Sequence, residues 1–307
     1  MPELPEVEYT ARQLRASIVG ATIQGADVFW ARTVGYPDLP AFLAGIAARR
    51  IEQVRRRGKF LILDLSGDLM LTIHRRMTGN LLLLAGAWRI DSSLRERDPL
   101  AWNTRGPTFY TPGAVPACIH ETEYCRVCFT LCDGRRLLFT DPRKFGRIGL
   151  WPRERESEAL AGLGPEPLSP EFTAGRLGEA LARRRGKIKQ VLLDQSVIAG
   201  VGNIYADEAL FRAGIHPLRR ADQLTPTEVQ TLHDAIVETL TLGIEHGGTS
   251  FNDYRDLWGK AGDNYNHVRV YQREGQPCLR CGTIVERIIL AQRGTHYCPG
   301  CQRLTAE

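Results

Sequence analysis

The most constraining feature of the chain is a pair of cysteine couplets near its end: Cys278-x2-Cys281, sixteen residues, then Cys298-x2-Cys301. That spacing is the signature of a four-cysteine zinc site, in which two thiolate turns clamp one tetrahedral ion. The segment between the couplets reads as a strand, a tip at 292–295 (Gln-Arg-Gly-Thr) and a return strand, which would present Arg293 at the end of a rigid hairpin. One structural Zn2+ per chain is the expectation. Zinc ribbons often offer basic tips to nucleic acid, and others serve structure alone.

The other cysteines do not extend this pattern. On an extended strand Cys128 and Cys132 would stand about 13 Å apart at roughly 3.3 Å per residue, too far for one ion, and alternation would turn Cys125 and Cys128 to opposite faces. These three and Cys118 are read as ordinary thiols. No apolar run approaches the roughly 20 residues needed to span a bilayer, and the acidic N-terminus is unlike a signal peptide. A cytosolic protein is expected, a compartment that favours free thiols and metal ligands over disulfides.

A chain of 307 residues has room for two domains. Its 40 Lys and Arg against 35 Asp and Glu leave a formal charge of +5, a mild excess that permits a polyanionic partner without establishing one. Lysine occurs only at 59, 144, 187, 189 and 260. The other basic residues are arginines, whose planar fork suits phosphate oxygens and base edges.

From the N-terminus, Val7, Ala11, Leu14 and Ile18 share a helical face, which predicts a helix over about 5–19 that Gly20 can end. Short apolar stretches at 22–29, 51–56, 60–65, 69–74 and 81–84 follow, the pattern of a β-sandwich or barrel. Lys59 sits in the turn between two of them, placed to reach a phosphate or a carboxylate, or else simply solvated. His74-Arg-Arg-Met77 ends the fourth stretch. From Gly86 to Glu123 periodicity is lost, which predicts a long surface loop. Asp133-Gly134 between 126–132 and 135–140 is a hairpin signal. After it comes Asp141-Pro-Arg143-Lys-Phe145-Gly, with the composition of a base-stack wedge or of a packed loop.

The proline-rich stretch 151–170 reads as a linker between a first domain over 1–150 and a helical one over 171–262, with the zinc module over 263–307. Helices are predicted at about 171–184, 187–194, 203–213 and 226–245, the last opened by a capping box from Thr225 to Glu228. Between the second and third, Gly200 and Gly202 permit close backbone approach, and Asn203 is placed to cap the next helix with its N–H groups facing an anion. That is the makeup of a phosphate cradle or of an ordinary glycine turn.

The opening Met-Pro-Glu-Leu-Pro-Glu-Val-Glu has two readings. Removal of Met1 would free the secondary amine of Pro2 to attack an electrophilic carbon, with Glu3 beside it to move protons. Alternatively, Pro5 and the acids merely start a helix.

Taken together and in order, Pro-Glu-Leu-Pro-Glu-Val-Glu, Lys59 after its glycine, Asp-Pro-Arg-Lys-Phe-Gly, Gly-Val-Gly-Asn-Ile-Tyr and the four-cysteine hairpin with Gln-Arg-Gly-Thr resemble the formamidopyrimidine-DNA glycosylase family over essentially the whole chain. The resemblance implies an α+β fold: an N-terminal β-sandwich flanked by helices, then a helix–two-turn–helix domain with a zinc finger. It implies a bifunctional glycosylase and lyase of bacterial, nucleoid-associated type, a monomer acting on damaged double-stranded DNA. Oxidised purines such as 8-oxoguanine and formamidopyrimidines would be flipped into a pocket. Pro2 would then attack C1′, Glu3 would transfer a proton, and the iminium would permit elimination at both phosphates. Lys59 and Glu6 match the family's further catalytic positions. Met77, Arg143 and Phe145 match the triad that fills the vacated stack, and His74, Asn203, Tyr254 and Arg293 match DNA-contacting positions. Two departures stand out, Arg75-Arg76 in place of a small apolar pair and the long 86–123 segment. An endonuclease VIII-like enzyme for oxidised pyrimidines, or a zinc-ribbon DNA binder without catalysis, are the alternatives. The Glu-Leu-Pro-Glu opening and the Arg-x-Phe loop argue against the first, and intact Pro2, Glu3 and Lys59 against the second.

Overall fold

The computed structural model describes residues 2–84, 124–251 and 253–304. The expected 86–123 loop and Cys118 lie outside them.

Helix α1 (Leu4–Ile18) opens with Pro5 in its first turn and buries Leu4, Val7, Ala11, Leu14 and Ile18. Nine strands follow: β1 (Thr22–Val28), β2 (Val34–Tyr36), β3 (Arg49–Arg57), β4 (Phe60–Leu65), β5 (Leu69–His74), β6 (Asn80–Leu84), β7 (Cys125–Leu131), β8 (Arg136–Thr140) and β9 (Arg147–Pro152), with α2 (Leu39–Ile46) inserted after β2. They hydrogen-bond in the order β2-β9-β5-β4-β3-β1-β7-β8-β6. The joint between the two halves is short, Thr22 opposite Arg50 and Ile23 opposite Arg49. The halves share one core, in which Val54, Leu61, Leu71 and Ile148 of one meet Phe129, Leu137 and Phe139 of the other, under α1 and α2. This is the expected sandwich. Fully burying side chains of this kind contributes about 1.5–3 kcal/mol each, so the joint needs little pairing of its own.

Several elements carry no expectation above, chief among them α2 and β9. Strand β9 pairs along β5 from Leu69 opposite Pro152 to His74 opposite Arg147, which makes the start of the proline-rich stretch part of the sheet. A short helix, α3 (Glu156–Ala159), continues it. Farther along, Glu166 is fixed to Arg56 and Arg57 at 2.7 and 2.9 Å. The expected linker is therefore docked along the rim of the sheet.

The second half holds α4 (Ala174–Ala182), α5 (Ile188–Leu192), α6 (Asn203–Ala213) and α7 (Pro226–Glu245). The capping box of α7 is present, with Glu228 N–H donating to Thr225 Oγ1 at 3.2 Å and Thr225 N–H to Glu228 at 2.8 Å. Eight consecutive residues of α6, Ile204 to Phe211, are buried. Two of them are acids with partners. Asp207 pairs with Lys189 at 2.7 Å and accepts from His296 N–H at 2.9 Å. Glu208 accepts from the N–H groups of Arg269, Val270 and Tyr271 at 2.8–2.9 Å. Helix α6 thereby fastens the zinc module, whose hairpin is β10 (Glu286–Leu290) and β11 (Arg293–Tyr297).

The hairpin turn differs from expectation. Leu290 pairs with Arg293, leaving Ala291 and Gln292 as a two-residue turn, both with positive φ (48° and 61°). A tight turn of this kind matches the twist of its strands, and it makes Arg293 the first residue of the return strand. Cys125 and Cys128 also differ: a register shift between Cys125 and Val127 breaks the alternation, and both thiols pack in one cluster with Leu82, Leu84 and Leu138. Burial pushes them up to about 12 and about 11, which disfavours the thiolate.

Candidate active site

Pro2 and Glu3 are buried where α1, the Gly58-Lys59 turn and the start of α6 converge. Glu3 accepts from the N–H of Ile204 at 3.0 Å and of Tyr205 at 3.4 Å. Its carboxylate thus occupies the positive N-terminus of α6. The anion that the Gly-Val-Gly-Asn turn faces is the chain's own Glu3, which corrects the phosphate-cradle expectation. Gly202 is required by that seat, since a Cβ there would lie 2.3 Å from Glu3 Cδ. Gly200, at φ +93°, accepts from Leu4 N–H at 3.0 Å, and a Cβ on it would strike Leu4 at 2.7 Å. Gly202, not Asn203, takes the cap position.

Lys59 is not a solvated turn lysine. It is 7% exposed, and its Nζ donates to Val201 O at 3.0 Å. Burial lowers its pKa, with Glu3 and Glu6 opposing and Arg293 adding to the fall. Burial raises the pKa of Glu3, with Lys59 as the main opposing charge. The pKa values of acid and amine are therefore pushed toward each other, the direction that eases proton exchange between them. Glu6 holds the opening in place: it accepts from Glu3 N–H at 2.7 Å, Tyr205 Oη at 2.6 Å and Thr249 N–H at 2.7 Å.

Two turns carry Met77, Arg143 and Phe145, the residues expected to form a wedge, to the surface. Met77 is 41% and Phe145 49% exposed, and the Arg143 guanidinium lies 5.2 Å from the Phe145 ring centroid. Both turns hang on Asp141, a fully buried acid. It accepts from the Thr78 hydroxyl, from Arg143 N–H at 3.2 Å and from Gly146 N–H at 2.7 Å. Asp141 was not among the expected site residues; its signal was its place at the head of the Asp-Pro-Arg-Lys-Phe-Gly loop. Glu166 was also missed, since in a proline-rich stretch nothing announces a partner.

His74, Asn203, Arg293 and Tyr254 fall in different settings. His74 Nδ1 accepts from Arg76 N–H at 3.1 Å, and burial with the charges of Arg76 and Lys59 lowers its pKa to about 3. It offers a neutral Nε2–H, not a cation. Asn203 Nδ2 donates to Gly294 O at 3.0 Å, tying α6 to the zinc hairpin, and Arg293 is exposed. Tyr254 is 4% exposed, with its hydroxyl directed to Glu6 O at 3.5 Å and the guanidinium of Arg75 at 5.2 Å from its ring centroid. Above it Arg75 is itself 1% exposed and turns inward, donating to Thr10 Oγ1 at 3.2 Å.

The four cysteines meet as their spacing implies. Cys278 and Cys301 sulfurs are 3.9 Å apart, Cys281 and Cys298 sulfurs 3.4 Å, and all four lie within 4.8 Å of one another. A tetrahedral ion at about 2.3 Å from each sulfur needs separations of roughly 3.8 Å, so the set fits one zinc.

Comparison with known proteins agrees with this geometry. Residues 1–148 match the formamidopyrimidine-DNA glycosylase N-terminal domain, 163–255 the formamidopyrimidine-DNA glycosylase H2TH domain, and 275–304 a zinc finger found in FPG and IleRS. The formamidopyrimidine-DNA glycosylase of Roseiflexus sp. is 42% identical over 304 residues, covering 99% of this chain and 100% of the relative. That of Chloroflexus aurantiacus is 43% identical over 303, covering 98% of each. Among solved structures, a Lactococcus lactis FPG mutant in complex with a Fapy-dG containing DNA superposes with a TM-score of 0.82 at 33% identity, over 99% of this chain and 100% of that one. The Lactococcus lactis Fpg in complex with an abasic site containing DNA gives 0.82 at 32%, over 98% and 100%. The chain belongs to the formamidopyrimidine-DNA glycosylase family.

Proposed function

We propose that this protein removes oxidised purines, 8-oxoguanine and formamidopyrimidines, from double-stranded DNA and then cleaves the abasic strand. The observation that carries this reading is the burial of Pro2 and Glu3 against the α6 N-terminus beside Lys59. Glu3 and Glu6 do form the capping box of α1, but starting that helix does not call for Lys59 buried nearby or for the N–H groups of α6 donating to Glu3.

Once Met1 is removed, Pro2 offers a secondary amine whose lone pair attacks C1′ of the lesion sugar as the bond from C1′ to the base breaks; the amine loses its proton, and opening of the C1′–O4′ bond with protonation of O4′ then gives the iminium. Glu3, raised by burial, moves the proton at the sugar ring. Lys59, lowered by burial, stands within its electrostatic reach. Retained Met1 would turn the Pro2 nitrogen into a planar amide without a free lone pair. Met77 and Phe145, both exposed, enter the vacated stack, and Arg143 hydrogen-bonds the orphaned base. His74, Asn203 and Arg293 flank the lesion at the phosphates. One copy suffices, with DNA lying between the sandwich and the helical half. The exposed Arg143–Phe145 pair favours purine lesions opposite cytosine over the pyrimidine alternative.

The test is borohydride trapping on an 8-oxoguanine duplex. The processed protein should form a covalent adduct that peptide mapping places on Pro2, and protein retaining Met1 should bind the lesion without trapping. An adduct on Lys59, or cleavage of thymine glycol with none of 8-oxoguanine, would overturn the assignment.

A further inference from the structure

Away from the zinc finger, His246, Asp263 and His267 form a second group of metal-type ligands. His246 closes the C-terminus of α7, and its ring stacks on that of His267 with centroids 3.6 Å apart and planes 11° from parallel. Asp263 Oδ2 lies 3.2 Å from His267 Nε2, and one donor atom from each of the three residues lies within 4.8 Å of the others. Asn266 Nδ2 donates to the other carboxylate oxygen, Oδ1, at 2.7 Å, and so turns Oδ2 toward the imidazoles. Such an outer partner that orients a ligand is what a working site needs.

The backbone brings these residues together. Asp263 N–H donates to His246 O at 2.8 Å, Asn264 N–H to Gly248 O at 3.1 Å and His267 N–H to Asn264 O at 3.0 Å. Thr249 and Asp263 form a β-bridge. The three ligands thus sit where the 249–263 segment leaves and rejoins the fold. That segment carries Thr249, whose N–H holds Glu6, and Tyr254 beneath Arg75.

We propose that His246, Asp263 and His267 bind a second, exchangeable divalent transition-metal ion, zinc or its neighbours in affinity, which staples the base of the 249–263 loop. Two imidazoles and one carboxylate select the borderline first-row ions over magnesium and calcium. Metal–nitrogen distances of about 2.0–2.1 Å require the donors to close by roughly 1 Å. Because parallel rings cannot aim at one point, the exposed His267 ring rotates out of the stack as the ion enters. Water fills the remaining positions, since His267 and Asp263 side chains are 44% and 61% exposed. The ion is held less tightly than one in the thiolate cage and comes off with a mild chelator. The site stands apart from the catalytic reading; its effect on turnover rests on that reading, because the stapled segment holds Glu6.

Protein with its four-cysteine site loaded is freed of loose metal and titrated with Zn2+ by calorimetry and by equilibrium dialysis with elemental analysis. One further ion per chain should bind, Mg2+ should not compete, and 15N imidazole signals of both histidines should shift. His246→Gln and His267→Gln should each weaken this ion by about tenfold or more, roughly 1.4 kcal/mol, with the first zinc and the melting temperature retained. No second ion, or a second ion unaffected by both variants, overturns the proposal. Saturating Zn2+ should slow lesion excision in the unaltered protein and not in His267→Gln. Equal slowing in both overturns the staple, whereas protein with its four-cysteine site loaded and no other metal that never excises refutes the catalytic reading and leaves the binding result standing.

Discussion

At residue scale, several side chains behave against their type because the fold buries them. His74 is neutral at physiological pH, so the phosphate contact proposed for it would be a hydrogen bond without charge. Its folded pKa of about 3 lies below the ordinary 6.5. Its share of stability is therefore present above about 6.5 and is lost as pH falls toward 3, at a slope approaching 1.4 kcal/mol per pH unit. His74→Gln should flatten that limb of the acid-unfolding curve. It should also leave the salt dependence of DNA affinity unchanged, whereas Arg293→Gln should reduce the slope of log K against log salt by about 0.9 if it contacts a phosphate. Arg75 is the opposite case, a charge held in the interior against Thr10 and the Tyr254 ring. Replacing such a group by an apolar side chain of similar length is often neutral or stabilising. Arg75→Met should hold or raise the melting temperature, and a loss beyond about 2 kcal/mol in urea unfolding would show that the guanidinium is needed where it stands. The sequence exposed the identity of these residues and hid their settings. Lys59, Arg75 and Tyr254 look alike as turn or loop residues, and only the packing of distant segments decides that they are interior.

At the scale of elements, the long periodic ones were legible. Helix α6 and helix α7 run over the residues expected, and α1 is offset by a single residue, because caps and apolar spacing act locally. What was not legible was elements made by their partners. Strand β9 exists through its pairing along β5, and α2 is a short helix whose apolar residues find their place only under the sheet. The Gly-Val-Gly-Asn turn was legible as a close approach, though not what approaches it. Gly202→Ala should be diagnostic: the new Cβ meets Glu3, displacing the acid from the α6 N-terminus at about 1–3 kcal/mol for overpacking. The variant should fold and bind DNA while trapping at Pro2 falls sharply; normal trapping would mean that Glu3 does not need its seat. Asp141→Ala should cost about 3 kcal/mol or more, since one carboxylate anchors both wedge turns through charge-assisted bonds. It should reduce discrimination between cytosine and adenine opposite the lesion.

Across the whole molecule, α6 is the hub. Its N-terminus receives Glu3 from the N-terminal half, and its Asp207 and Glu208 fasten the zinc module. The cysteine spacing foretold the module, but not its attachment, because Asp-Glu in a helix reads as a solvated face. Zinc supplies much of the folding free energy of so small a hairpin, and the hairpin in turn gives the helical half Gly294 O, which accepts from Asn203 and from Lys189 at 3.0 Å each. Loss of the ion should therefore do more than free Arg293. Lys189, paired with Asp207 and 1% exposed, would lose its Gly294 and Thr295 acceptors, and a buried ammonium with fewer partners is costly. Cys298→Ser should release zinc, weaken DNA binding with a smaller salt slope, and lower the melting temperature of the helical half. Glu3 and Glu6 make no direct hydrogen bond to the hairpin among the described residues, so at DNA concentrations that restore saturation the variant should still form the borohydride-trapped adduct at Pro2. If trapping vanishes even at saturation, the hairpin acts on the chemistry as well as on binding, through the charge that Arg293 places near Lys59.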